Sequence, residues 1–163
     1  MRLYIVQHGD SVPKDIDPDR PLSDRGRADI QRLTEWLSSH NVQVVQILHS
    51  GKTRAKETAE ILRPLLKSPG LIYERQGLAP NDSPEAFLYQ LGDPKKDTLI
   101  VGHMPFVARA VSQALTGAPD RQLVEFVPGS IAGIERSDGA SWRLFMFARP
   151  EFFNRGGLSQ SVY

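Results

Sequence analysis

Three of the four histidines in this 163-residue chain stand directly behind short apolar runs, and that placement is the first sign of chemistry. His8 sits in Gln7-His8-Gly9-Asp10, His49 precedes Ser50 with Arg54 a few residues on, and His103 sits in Gly102-His103-Met104-Pro105. Histidine can attack phosphorus, forming a phosphoramidate that water then hydrolyses. That use needs one ring tautomer, usually fixed by a hydrogen bond from one nitrogen to a backbone carbonyl. Gly9 would let the chain turn tightly beside the His8 ring or approach it closely. The phosphoryl oxygens need directed positive charge, which the planar fork of Arg54 supplies. Arg54 also falls near a helix start, where backbone N–H groups favour an anion. His103, when protonated, adds a charge and a donor. Each residue alone reads as well as something ordinary: a loop histidine, a surface arginine, a Gly and Pro shaping a turn. His49 reads as supporting or structural, and His40, near a helix end, as solvated. The convergence of three histidines on one edge outweighs the ordinary reading.

The elements that must position them follow from the hydrophobic pattern. Residues 3–6, 44–48 and 98–101 are runs of Ile, Val and Leu without alternation, as expected of parallel strands covered on both faces. Each is followed by a helical pattern. Ser23 is predicted as the N-cap of a helix presenting Ile30, Leu33 and Leu37. Ser50 or Thr53 opens a second helix, with Ala55, Ala59 and Leu62 on one stripe. Pro105 fits the first turn of a third, with Ala108, Val111 and Leu115 facing inward. A shorter helix starts at Ser83-Pro84 and carries Phe87, Leu88 and Leu91. Residues 131–136 and 142–147 flank Ser137-Asp138-Gly139, a turn signal, and read as an antiparallel hairpin. The predicted fold is therefore α/β, a three-layer sandwich with a mostly parallel central sheet, helices on both faces and a C-terminal antiparallel hairpin. In such sheets ligands bind outside the carboxyl ends of the strands, where the histidines fall.

Length and composition set the frame around this site. The chain has room for one domain, expected over residues 1–150, and residues 151–163, with Gly156-Gly157, read as a mobile tail. Twenty basic against nineteen acidic side chains leave a formal charge of +1, so no global field favours nucleic acid or an anionic membrane as partner. The absence of cysteine excludes thiol catalysis, thiolate metal sites and disulfides. The N-terminal apolar run is too short for a signal peptide or a membrane span. A cytoplasmic location is the expectation.

Four segments then resemble, in order, the histidine phosphatase (phosphoglycerate mutase-like) superfamily. Residues 3–10 are similar to its strand followed by Arg-His-Gly. Arg20-Pro21-Leu22-Ser23-Asp24-Arg25-Gly26 is similar to Pro-Leu-Thr/Ser-x-x-Gly. Residues 50–59 match Ser-x-x-x-Arg-Ala-x-x-Thr-Ala, and Val101-Gly102-His103-Met104-Pro105 resembles Gly/Ser-His-x-Pro. The shortness of the chain points to the SixA-type phosphohistidine phosphatases. The resemblance implies that His8 is the phosphorylated nucleophile, that Arg54 holds the transferred group and that His103 is the second pocket histidine. Arg20 is implied as a further phosphate ligand, and no metal or cofactor is implied. The expected partner is a phosphorylated substrate, with a phosphohistidine-bearing protein the leading choice.

The sequence departs from the family at Gln7, where the family has arginine. Glutamine can donate to phosphate but brings neither charge nor fork. Loss of one such donor costs roughly 100- to 1000-fold in rate. Arg20, His103 or Lys52 are available to compensate; otherwise the protein binds phosphorylated partners with little or no turnover. Glu74, Asp82 and Glu85 are candidate acids for an oxygen leaving group, none fixed by spacing. A phosphoramidate needs less acid help than a monoester, which favours phosphohistidine over a sugar phosphate. A metal site of His8, Asp10 and His103 is a minor alternative. A nucleotide-binding protein is a weaker one, because no Gly-rich phosphate cradle is present.

Overall fold

Six strands and four helices alternate along the chain in a computed structural model that describes residues 1–91, 96–137 and 141–153. β1 (Arg2–Gln7), β2 (Val44–His49) and β4 (Thr98–Gly102) correspond to the three apolar runs. With β3 (Leu66–Glu74), β5 (Ile131–Glu135) and β6 (Arg143–Ala148) they form one sheet in the order β3-β2-β4-β1-β5-β6. The first four of that order are parallel; β5 runs antiparallel to β1, and β6 antiparallel to β5.

Strand alternation divides the core into two layers. Tyr4, Val6, Ile47, Leu99 and Val101 face α1 (Asp24–Ser39) and α2 (Thr53–Ile61), whereas Leu3, Ile5, Leu48 and Ile100 face α3 (Pro84–Gln90) and α4 (Phe106–Thr116). Covering both faces explains why these strands read as continuous apolar runs. β1, β2 and β4 therefore end side by side, and the His8 N–H donates to the Gly102 carbonyl (3.1 Å), carrying the β1–β4 ladder one residue past the strands.

α1 begins as expected, with Ser23 Oγ accepting from the Gly26 N–H (3.0 Å), and α2 begins at Thr53 behind Lys52, not at Ser50. The stripe expected on α4 is rotated. Val107, Ala110 and Val111 are buried, whereas Ala108 and Leu115 are only partly so, and Pro105 is the N-cap. β3 was not anticipated. Pro69-Gly70 reads as a turn, but at a sheet edge a proline needs no ladder partner. A register shift between Val44 and Gln46 accommodates the irregularity. The C-terminal strands sit one residue inside their expected limits, β5 ending at Glu135 and β6 starting at Arg143. Of their turn, Asp138 and Gly139 lie outside the described residues. Of the expected tail, Pro150–Phe152 form a 3-10 turn and Phe153 is buried against Trp36. Residues 154–163 lie outside the described residues.

One contact fixes how α1 approaches the site. A Cβ on Gly26 would fall 2.0 Å from the Asp10 carbonyl oxygen, so the first turn of α1 presses directly on the backbone two residues past His8. In an open helix Gly→Ala stabilises by about 1 kcal/mol. Here the backbone clash dominates, and Gly26→Ala is expected to destabilise by about 1–3 kcal/mol, read as a lower urea midpoint. A midpoint equal to or above wild type would contradict this packing.

Candidate active site

His8 begins the loop after β1 and is 8% exposed. Its Nδ1 lies 2.7 Å from the Gly9 carbonyl oxygen, an acceptor, so Nδ1 carries the proton and Nε2 the lone pair. Arg54 Nε donates to that Nε2 at 3.2 Å. Burial, countered by the Gly9 hydrogen bond and reinforced by the charges of Arg54 and Arg20, lowers the His8 pKa to about 4. The imidazole is therefore neutral at physiological pH, as a nucleophile must be.

Gly9 is held from three sides. A Cβ there would lie 2.9 Å from Ile30 Cγ1 and 3.0 Å from the Gly26 carbonyl oxygen. Its N–H donates to Thr58 Oγ1 (3.1 Å), and the Thr58 hydroxyl donates to the Arg54 carbonyl (2.8 Å). One fully buried threonine thus ties the His8 loop to the turn of α2 that bears Arg54. Lys52 provides no side-chain cap for α2, and although the Ala55 and Lys56 N–H groups bond the Lys52 carbonyl, those of Thr53 and Arg54 have no partner among the described residues.

His103, just past β4, is 2% exposed, and its ring centroid is 4.9 Å from that of His8. Burial first, then His8, Arg54, Lys52 and Arg20, lower its pKa to about 3. In the free protein burial and the neighbouring cations favour the neutral His103 ring, whose charge the sequence left conditional. Ser50 Oγ lies 2.5 Å from its Nε2. Arg20 has a left-handed backbone (φ 50°) and donates to Ser11 Oγ (3.0 Å) and the Val12 carbonyl (3.3 Å). Its charge is felt at His8, His103 and Arg54. Gln7 is buried beside His8, with Oε1 lacking a partner among the described residues.

The carboxylates go elsewhere. Glu74 packs against Gly51, Asp82 accepts from the Ala79 N–H (2.8 Å), and Glu85 sits in the first turn of α3. Asp10 accepts from Ser23 Oγ (2.6 Å), and no group of three or more His, Cys, Asp or Glu among the described residues could hold a metal ion. His49 accepts from the Gly51 N–H (3.1 Å) and shapes its own turn, and His40 is exposed and hydrogen-bonds the Trp36 carbonyl (2.8 Å). The arrangement is a neutral, tautomer-fixed imidazole among cations, with its lone pair covered by a guanidinium. It is suited to receiving a phosphoryl group. From sequence Ser50 is only a candidate helix start and Thr58 has no role. Their signal was the Ser-x-x-x-Arg-Ala-x-x-Thr spacing, which puts a hydroxyl before α2 and another one turn beyond Arg54.

Comparison with known proteins bears on the family and the fold. A family model described as the histidine phosphatase superfamily (branch 1) matches residues 3–76. An uncharacterized protein of Picosynechococcus sp. (strain PCC 7002) is 34% identical over 128 residues, covering 72% of this chain and 76% of that one. The phosphohistidine phosphatase SixA of Escherichia coli (strain K12) is 24% identical over 150 residues, covering 88% and 93%. Among solved structures, protein histidine phosphatase SixA complexed with tungstate has a TM-score of 0.81 at 22% identity, covering 93% of this chain and 99% of that one. An alpha-ribazole-5'-P phosphatase from Escherichia coli K-12 has a TM-score of 0.74 at 16% identity, covering 92% and 98%. At these identities the two structures establish the fold.

The depressed histidines make stability depend on pH. Between the ordinary pKa of 6.5 and about 4, the unfolded chain protonates position 8 and the folded one does not. The unfolded state binds more protons there, so stability present above pH 6.5 is lost as pH falls. His8 alone accounts for up to about 3 kcal/mol of that loss, and His103 acts in the same direction. A double His8→Asn, His103→Asn variant is expected to lose less stability than wild type over this range, measured by urea unfolding. Parallel curves would contradict the assignment.

Proposed function

The chain belongs to the histidine phosphatase superfamily and is a phosphatase hydrolase, and on that premise we propose that it dephosphorylates phosphohistidine on a protein by way of a phosphorylated His8. The observation that carries this reading is the tautomer: Nδ1–H is bound to the Gly9 carbonyl, so Nε2 is the nitrogen able to attack. In the first step Arg54 moves its Nε from that lone pair to the incoming phosphoryl oxygens. His8 Nε2 then forms a bond to phosphorus in line as the bond to the substrate's imidazole nitrogen breaks. In the second step water attacks phospho-His8, the P–N bond breaks, and inorganic phosphate leaves with His8 restored. Arg54 and Arg20 hold the oxygens as fixed charges, and Gln7 and His103 complete the phosphate ligands.

One observation supports an imidazole leaving group. Glu74 packs against Gly51, Asp82 accepts from the Ala79 N–H and Glu85 lies in the first turn of α3, and none of the three hydrogen-bonds His8, Arg54 or His103 among the described residues. A nitrogen leaving group that already carries a proton does not need a carboxylic acid. Met104, next to His103 in the chain, and Leu123 are exposed along a separate cleft of about 660 Å³ lined by none of the proposed site residues, and we read this neighbouring surface as room for a macromolecular substrate. No helix among the described residues is long and apolar enough to cross a membrane; a cytoplasmic location is proposed on the sequence expectation alone.

A second reading rests on Gln7. Its amide brings no charge where the superfamily has arginine, and its Oε1 is buried without a partner among the described residues. On that reading the protein binds phosphorylated partners and turns them over weakly. Phosphorylated metabolites are the third class, since structural relatives include the alpha-ribazole-5'-P phosphatase and an Entamoeba histolytica phosphoserine phosphatase. Phosphate release from a phosphohistidine protein, measured beside para-nitrophenyl phosphate, separates the three. The expected result is release that favours the phosphohistidine protein and falls about a thousandfold or more in His8→Ala. Full activity in that variant would refute the His8 assignment. Phosphate binding without release would support the second reading.

A further inference from the structure

Ser50 stands at the carboxyl end of β2, and its hydroxyl meets His103 Nε2 at 2.5 Å. The other ring nitrogen, Nδ1, is buried and has no hydrogen-bond partner among the described residues. Burial and the surrounding cations keep this ring neutral, so it carries one proton, placed by whichever partner it meets. If Ser50 donates to Nε2, the ring proton sits on Nδ1 and the free nitrogen is a donor. If Ser50 accepts, the free nitrogen is a bare lone pair. Toward a phosphoryl oxygen these are opposites, since a donor stabilises developing charge and a lone pair repels it. Arg54, Arg20 and Lys52 all act on this ring and mark the pocket as a place for an anion. Only one of the two tautomers is compatible with that ligand.

Building on the reading of the His8 pocket as a phosphoryl site, we propose that Ser50 is a positioning residue: it donates its hydroxyl proton to His103 Nε2 and so holds Nδ1–H ready for the phosphoryl oxygens. Ser50 itself touches no phosphoryl oxygen in this role and acts through the histidine.

The test reads the tautomer directly. Long-range proton–nitrogen spectra of the ¹⁵N-labelled free protein at neutral pH should show His103 with a protonated, pyrrole-type Nδ1 and a pyridine-type Nε2. The reverse pattern would overturn the proposal. Ser50→Ala should then give a mixture of tautomers and lower kcat on the phosphohistidine protein by roughly 10- to 100-fold, the scale seen when the partner orienting a functional histidine is removed. Ser50→Thr, which keeps the hydroxyl, should retain both the tautomer and most of kcat. Undiminished kcat in folded Ser50→Ala would overturn the proposal. Because the nitrogen shifts are read without substrate, a protein with no turnover at all would sink the proposed activity and still leave the Ser50 result legible.

Discussion

The hydrogen bond from His8 Nδ1 to the Gly9 carbonyl oxygen, 2.7 Å long, leaves the ring a single basic nitrogen facing Arg54. Most of the surrounding construction bears on keeping that carbonyl in place. The His8 N–H is bound to Gly102 in β4, the Gly9 N–H to Thr58 in α2, and the Asp10 carbonyl accepts from the Ser23 N–H (3.0 Å) ahead of α1. Three elements therefore hold three consecutive residues. The absence of a side chain at Gly9 and at Gly26 lets α1 lie close enough to close this arrangement. A Cβ at either position would push the helix off the loop and loosen the tautomer.

The same packing sets the electrostatics. Two imidazoles are buried within 4.9 Å of each other, close to the arginines at positions 20 and 54. Without a ligand the cheapest state leaves both rings neutral, and positive charge resides on groups that do not titrate in the physiological range. On the proposed function, a phosphoryl dianion entering this field meets fixed charge and draws the Arg54 Nε–H away from the His8 lone pair. The cost is carried by stability at acid pH, where the unfolded chain can protonate rings that the folded one keeps neutral.

The sheet edge was legible in the sequence because three histidines follow three apolar runs, and residue type and position could be read together. Ser23 and its helix were legible from capping chemistry. β3 was hidden because Pro69-Gly70 resembles a turn until an edge position makes it tolerable. On α4 apolar residues occur on two neighbouring faces, and the pattern alone did not separate the buried Val107, Ala110 and Val111 from the partly exposed Ala108 and Leu115. Thr58 and Ser50 lie inside a motif that could be quoted, yet their partners are 49 and 53 residues away in the chain. No spacing rule reaches that far; only the fold brings them together. The neutrality of His103 is likewise a consequence of burial, which residue type does not reveal.

The central claim is that a phosphoryl group passes onto His8. The most direct measurement mixes the protein with a phosphohistidine-bearing protein, quenches within the first turnover under alkaline conditions that preserve phosphoramidates, and maps the modified peptide by mass spectrometry. The expected result is one added phosphoryl group on the peptide containing His8, transient in wild type and absent in His8→Ala. Steady release of phosphate with no phosphoryl group on His8 at any time, from a quench shown to preserve phosphohistidine, would contradict the account.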